Sequence, residues 1–153
     1  MKNSRTHTWI VEITAALLIL LFVYTGITKL VDQASFRGVM SRSPLIGQWS
    51  TFLSWALPIV ELSAALVLFF PKTRKIGLWI SLGLMVLFTG YIAYMLLFSN
   101  HLPCSCGGVL QQLTWLQHLE FNIIFTSLSA LSIWFYTNHQ RFIAINRNSR
   151  TPV

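Results

Sequence analysis

Cys104 and Cys106 stand one residue apart in the segment Cys104-Ser105-Cys106-Gly107-Gly108 and carry the most reactive side chains of this 153-residue chain. Pro103 before them and the two glycines after them predict a tight loop whose backbone lets a partner approach closely. A disulfide across a single intervening residue closes an unusually small ring. Strained, exposed disulfides have more oxidising potentials, which suits exchange better than scaffolding. Two other readings stand beside exchange. The sulfurs could join His101 or His118 around Cu(I) or Zn(II), but no further ligand pair is evident and no metal site is assigned. The pair could also be structural. Thr114 with Gln117 three residues later fits a capping box, so the cysteine loop should run directly into a helix N-terminus. The partial positive charge there favours a thiolate, although no Lys or Arg lies between 76 and 140 to assist.

Further residues could support such chemistry because they are polar within apolar surroundings. Glu61 falls near the middle of a long apolar run, where a carboxylate is expensive unless it is protonated, paired or set against a polar cavity. Its alternative role is an interhelical hydrogen bond that fixes packing. Pro58, three residues earlier, removes the hydrogen bond owed to the Ser54 carbonyl and predicts a locally kinked, polar face. Lys29 ends another apolar run and is most simply explained by snorkelling to the interface; turned inward, it would find Glu61 or Asp32 as partner. His118, Asn122, Thr126 and Ser129 recur at helical spacing and form one polar stripe that should face the bundle interior, with Trp115 at its outer end. For His118 a packing role stands against proton transfer or ligand binding.

The elements that must position these residues are membrane helices. The chain is 54% hydrophobic and 10% charged, with a mean hydropathy of +0.62. Soluble domains carry roughly 25% charged residues, so an ordinary soluble domain is excluded. A helix needs about 20 apolar residues to cross a bilayer. Four segments reach that length, at about 9–30, 49–70, 76–98 and 115–137. The first could be read as a signal peptide, but it runs on into Tyr24-Thr25-Gly26 without a clear cleavage site and is read as an uncleaved helix. Gly83 and Gly90, seven apart in the third segment, are expected to be close-packing positions. There is no internal repeat or linker, and residues 1–153 are expected to form a single membrane domain.

The net charge of +7 does not point to nucleic acid, because the basic residues cluster between the apolar runs. Lys2 and Arg5, then Lys72, Arg74 and Lys75, then Arg141, Arg147 and Arg150 place eight basic residues on one side, against Lys29, Arg37 and Arg42 on the other. That bias puts both termini in the cytoplasm and the 31–48 and 99–114 loops outside. The cysteines would then face an oxidising compartment. Five of six tryptophans fall near the ends of the segments, as interfacial indoles should, with Trp55 about two turns in.

On these residues the chain resembles the methylamine-utilisation MauE family, within the wider DoxX-like group of four-helix membrane proteins. The resemblance rests on Tyr24-Thr25-Gly26-Ile27-Thr28-Lys29-Leu30, on Pro58-Ile59-Val60-Glu61-Leu62, on the Cys104 to Gly108 loop and on the Trp115 to Asn122 segment. It implies a redox-associated protein that supports disulfide formation during maturation of a periplasmic enzyme, with Cys104 and Cys106 as the family's cysteine pair and Lys29 and Glu61 as its polar intramembrane positions. The family's cysteine motif often has an aromatic residue where this chain has Gly107-Gly108. Membrane oxidants of the DsbB and VKOR kind resemble the chain in being helical bundles, but they use two cysteine pairs. With one pair, this protein either passes electrons to a quinone held in the bundle or relies on a separate redoxin.

The expectation is therefore an all-α, integral membrane four-helix bundle in the bacterial inner membrane. Cys104 and Cys106 would exchange with a periplasmic redoxin or a cysteine-containing client. Lys29, Glu61, His118, Asn122 and Trp115 would line a supporting polar site, for which quinone is a candidate cofactor. A non-catalytic membrane assembly subunit and a Cu/Zn-handling protein are the alternatives.

Overall fold

A computed structural model describes residues 2–43, 45–98 and 114–148, and all regular structure among them is helical. The first helix, α1 (Lys2–Val31), turns at Asp32 into a short second helix, α2 (Gln33–Ser41). A single 3₁₀ turn (Gly47–Trp49) leads into α3 (Ser50–Phe69), followed by α4 (Arg74–Phe98) and α5 (Trp115–Asn148). Four stretches are long and apolar enough to cross a membrane: Trp9–Val31, Gly47–Phe69, Arg74–Phe98 and Leu116–Asn138.

These four spans form a ring in which each helix has two main neighbours. α1 packs on α3, α3 on α4, α4 on α5, and α5 returns to α1, while the α1–α4 diagonal barely touches. The facing residues recur at helical spacing. Val11, Ala15, Leu18 and Phe22 of α1 meet Ala64, Ala65 and Leu68 of α3, with Leu78, Leu84 and Met85 of α4 and Ile133 of α5 completing the core. The reverse faces expose residues such as Leu20, Phe52, Ile59, Leu87 and Leu131, as lipid-facing helices require. Trp9, Trp49, Trp55, Trp79 and Trp134 all point outward; the Trp115 side chain lies outside the described residues.

Close helix contact is made at glycines other than those expected. A Cβ on Gly26 would come within 3.0 Å of Leu62 Cγ and 3.4 Å of the Pro58 carbonyl, so α1 and α3 approach at this point. A Cβ on Gly77 would lie 2.9 Å from the Leu68 backbone nitrogen, which draws α4 onto α3. A Cβ on Gly83 or Gly90 would meet nothing within 4 Å, and the expectation that these two pack closely is incorrect for this chain. The buried line of α4 runs through Gly77, Ser81, Leu84, Met85, Ile92 and Met95, and at about 100° per residue the two glycines fall on the opposite face.

Two polar contacts tie the ends together. Arg74 at the start of α4 pairs with Glu12 of α1. Thr73 Oγ1 donates to the Val67 carbonyl at 2.7 Å and closes the α3–α4 turn. At the start of α5, the Thr114 backbone N–H donates to Gln117 Oε1 at 2.9 Å and the Gln117 N–H donates to Thr114 Oγ1 at 3.3 Å. This is the reciprocal capping box expected from the sequence.

Candidate functional site

The polar site is built where α3 carries a carboxylate into the bundle. The buried face of α3 runs Ser50, Ser54, Pro58, Glu61, Ala64, Ala65 and Leu68, which places Glu61 on the same stripe as the core alanines. Its side chain is 1% exposed. A carboxylate at such a position needs a partner, and Lys29 supplies it: Lys29 Nζ forms an ion pair with Glu61 Oε1. Thr25 Oγ1 lies 3.3 Å from Glu61 Oε2 and 2.9 Å from the Leu21 carbonyl, so one hydroxyl hydrogen is shared between the two acceptors. The approach of α1 to α3 at Gly26 makes this reach short enough, because Thr25 and Lys29 flank that glycine by one residue and by about one turn.

Snorkelling is therefore not what Lys29 does. Its side chain is 12% exposed and turned inward, and its Nζ sits 5.2 Å from the centre of the Phe88 ring and 5.6 Å from that of Phe36. Both distances fall within cation–π range. Phe36 comes from α2, which lies within the segment expected to be a loop. Nine residues long, α2 buries Phe36 and Met40 one turn apart and exposes Ala34, Ser35 and Arg37 on its other side. It is held at both ends. Gln33 Nε2 donates to Ser54 Oγ of α3 at 3.2 Å, and Tyr91 Oη of α4 donates to Ser43 Oγ at 3.0 Å.

Beneath α2 lies a cavity of about 370 Å³, within the size range of small-molecule sites. Its walls are mostly aliphatic and aromatic side chains from all five helices. The polar groups reaching it are Thr25, Thr28, Lys29, Glu61, Tyr91, His118 and Asn122. Four residues singled out in the sequence, Lys29, Glu61, His118 and Asn122, thus share one cavity although they come from three helices.

The α5 stripe faces inward along its length. Asn122 and Ser129 are buried, and Thr126 Oγ1 lies 3.2 Å from Thr89 Oγ1 on α4. Much of its hydrogen bonding returns to its own helix: Asn122 Nδ2 donates to the His118 carbonyl at 2.9 Å and Thr126 Oγ1 to the Asn122 carbonyl at 2.7 Å. The His118 ring makes no hydrogen bond among the described residues and borders the cavity. Cys104 and Cys106 lie outside the described residues; by chain order they precede His118 by 14 and 12 positions.

Tyr91, Phe88 and Phe36 also shape the site, and the sequence marks them only faintly. Tyr91 carries a weak signal in Thr89-Gly90-Tyr91, a polar break within an apolar helix, and Phe36 with Met40 is an i, i+4 apolar pair in an otherwise polar segment. Among the described residues no three His, Cys, Asp or Glu side chains group closely enough to hold a metal ion.

Comparison with known families places residues 7–135 within the family described as methylamine utilisation protein MauE. That range contains α3, α4, the cysteine pair and the whole polar cavity. No curated protein and no solved structure matches the chain.

Proposed function

The chain belongs to the MauE family and is a multi-pass membrane protein, and from that premise we propose that it carries out thiol–disulfide exchange through Cys104 and Cys106 during maturation of a periplasmic redox enzyme in methylamine utilisation. It resides in the bacterial inner membrane with both termini cytoplasmic and the cysteine loop in the periplasm, the side that the distribution of basic residues favours. In the oxidising direction, a client thiolate attacks one sulfur of the Cys104–Cys106 disulfide and forms a mixed disulfide. The client's second thiol then displaces it. The client leaves with a disulfide, and the pair keeps the two electrons and two protons as a dithiol. A redoxin disulfide or an acceptor within the bundle takes them in turn.

The observation that supports this reading is the convergence of Lys29, Glu61 and His118 on one cavity whose wall includes the first turns of α5, the helix that the cysteine segment enters. A purely structural bundle gains little from holding an ion pair beside an open volume, since well-packed apolar residues are often at least as stabilising. The test is the redox state of a periplasmic client in cells carrying Cys104→Ser/Cys106→Ser. Exchange requires the client to accumulate with free thiols while the variant protein still reaches the membrane. Normal client oxidation in that background removes the proposal and leaves an assembly role.

A further inference from the structure

We infer that the cavity under α2 binds the head of a neutral, carbonyl-bearing lipophile, with the Lys29 ammonium donating to the carbonyl oxygen. An ammonium group has three N–H donors. Among the described residues Lys29 makes one hydrogen bond, to Glu61 Oε1, and the faces of Phe36 and Phe88 beside it accept no conventional hydrogen bond. Donors in a largely apolar wall favour an acceptor, and a molecule that fills the cavity can supply one to the N–H groups that Glu61 does not engage.

The charge balance selects the kind of acceptor. Glu61 already neutralises Lys29, so the pair is neutral as a unit. A carboxylate or phosphate brought to Lys29 would leave a net negative charge among apolar side chains, at high cost. A carbonyl adds an acceptor without adding charge. The volume of about 370 Å³ and the ring faces of Phe36 and Phe88 suit a compact, flat head with an apolar body. Two membrane molecules have this chemistry: a quinone, and the ester region of a phospholipid. Only the quinone can also accept two electrons and two protons from a dithiol, becoming a quinol as the dithiol becomes a disulfide. That connection rests on the exchange function proposed above, whereas binding does not.

Binding is tested on the full chain in nanodiscs by equilibrium dialysis of a short-chain alkylated benzoquinone. The expected result is saturable binding of one molecule per chain. Loss of a hydrogen bond to a charged donor corresponds to about tenfold to a hundredfold in affinity, so that is the weakening expected for Lys29→Met/Glu61→Gln. The same loss should follow, in the unaltered protein, when the benzoquinone is replaced by the alkylbenzene lacking both carbonyls; this arm does not depend on a variant folding. Equal affinity for the alkylbenzene, or uptake that does not saturate, overturns the inference. Nanodiscs of ester-linked and ether-linked phospholipid separate the two sources. Weaker quinone binding in ester lipid identifies the lipid carbonyl as a competing occupant of the same site, and equal binding assigns the site to the quinone. Cys104→Ser/Cys106→Ser should bind the benzoquinone unchanged, so a failure of exchange remains distinguishable from a failure of binding.

Discussion

Removing Lys29 while leaving Glu61 in place should be the most damaging conservative change in the bundle. The Glu61 side chain is 1% exposed, has Thr25 as its other hydrogen-bond partner and otherwise borders a cavity walled mostly by apolar side chains, so losing Lys29 leaves it without a counter-charge. In Lys29→Met it can remain ionised and unpaired, which typically costs about 3–5 kcal/mol. It can instead take up a proton. For a carboxyl of ordinary solution pKa near 4.3, protonation at pH 7 costs about 3.7 kcal/mol, from roughly 2.7 units at 1.36 kcal/mol each. The two routes agree, so the expected loss is about 3–4 kcal/mol, or a factor of several hundred in the folded ratio. Glu61→Gln should cost less, because Lys29 lies near the end of its helix and can swing its ammonium to the interface. The double variant Lys29→Met/Glu61→Gln, with no charge left to bury, should recover most of the Lys29→Met loss. The assay is reversible unfolding from mixed micelles, followed by helical circular dichroism, for the three variants and the parent. A Lys29→Met variant within about 0.5 kcal/mol of the parent, or a double variant as unstable as Lys29→Met, would refute the buried-pair argument.

The glycines and the α5 cap give two further tests. Gly77→Ala should lower the unfolding midpoint, because the added methyl meets α3 backbone at 2.9 Å, whereas Gly83→Ala and Gly90→Ala should be neutral or should stabilise by up to about 1 kcal/mol through helix propensity; a reversed order would place the α4 packing face elsewhere. Thr114→Ala removes the hydroxyl that accepts the Gln117 N–H and should cost about 1 kcal/mol, read as faster amide exchange confined to the first turn of α5. Unchanged protection there would mean that the cap does not hold that turn.

What was legible in the sequence followed from strong local signals. The four spans are long apolar runs that no other element accommodates, and the Thr114–Gln117 cap depends only on residues three apart. The α5 stripe is likewise a matter of spacing along one helix. The less legible features depend on contacts between helices. Whether Lys29 turns inward is decided by how closely α1 meets α3, and that is set by Gly26 against Leu62 and the Pro58 carbonyl, a pairing that spacing along either helix does not reveal. The second helix, α2, is short and mixed in polarity, and nothing within its nine residues announces the cavity that Phe36 and Met40 cover. Gly83 and Gly90 misled in the other direction. Their heptad spacing suggests a seam, but the seam of α4 is fixed by Gly77, Ser81 and Met85, nearly half a turn around the helix.

The exchange proposal depends most directly on where the cysteine pair lies and in which redox state it is held. Intact cells treated with a membrane-impermeant maleimide, before and after mild reduction, report both through mass shifts on Cys104 and Cys106. Exchange on the periplasmic side predicts labelling of both cysteines only after reduction. No labelling under either condition would place the pair away from the periplasm and contradict the proposal.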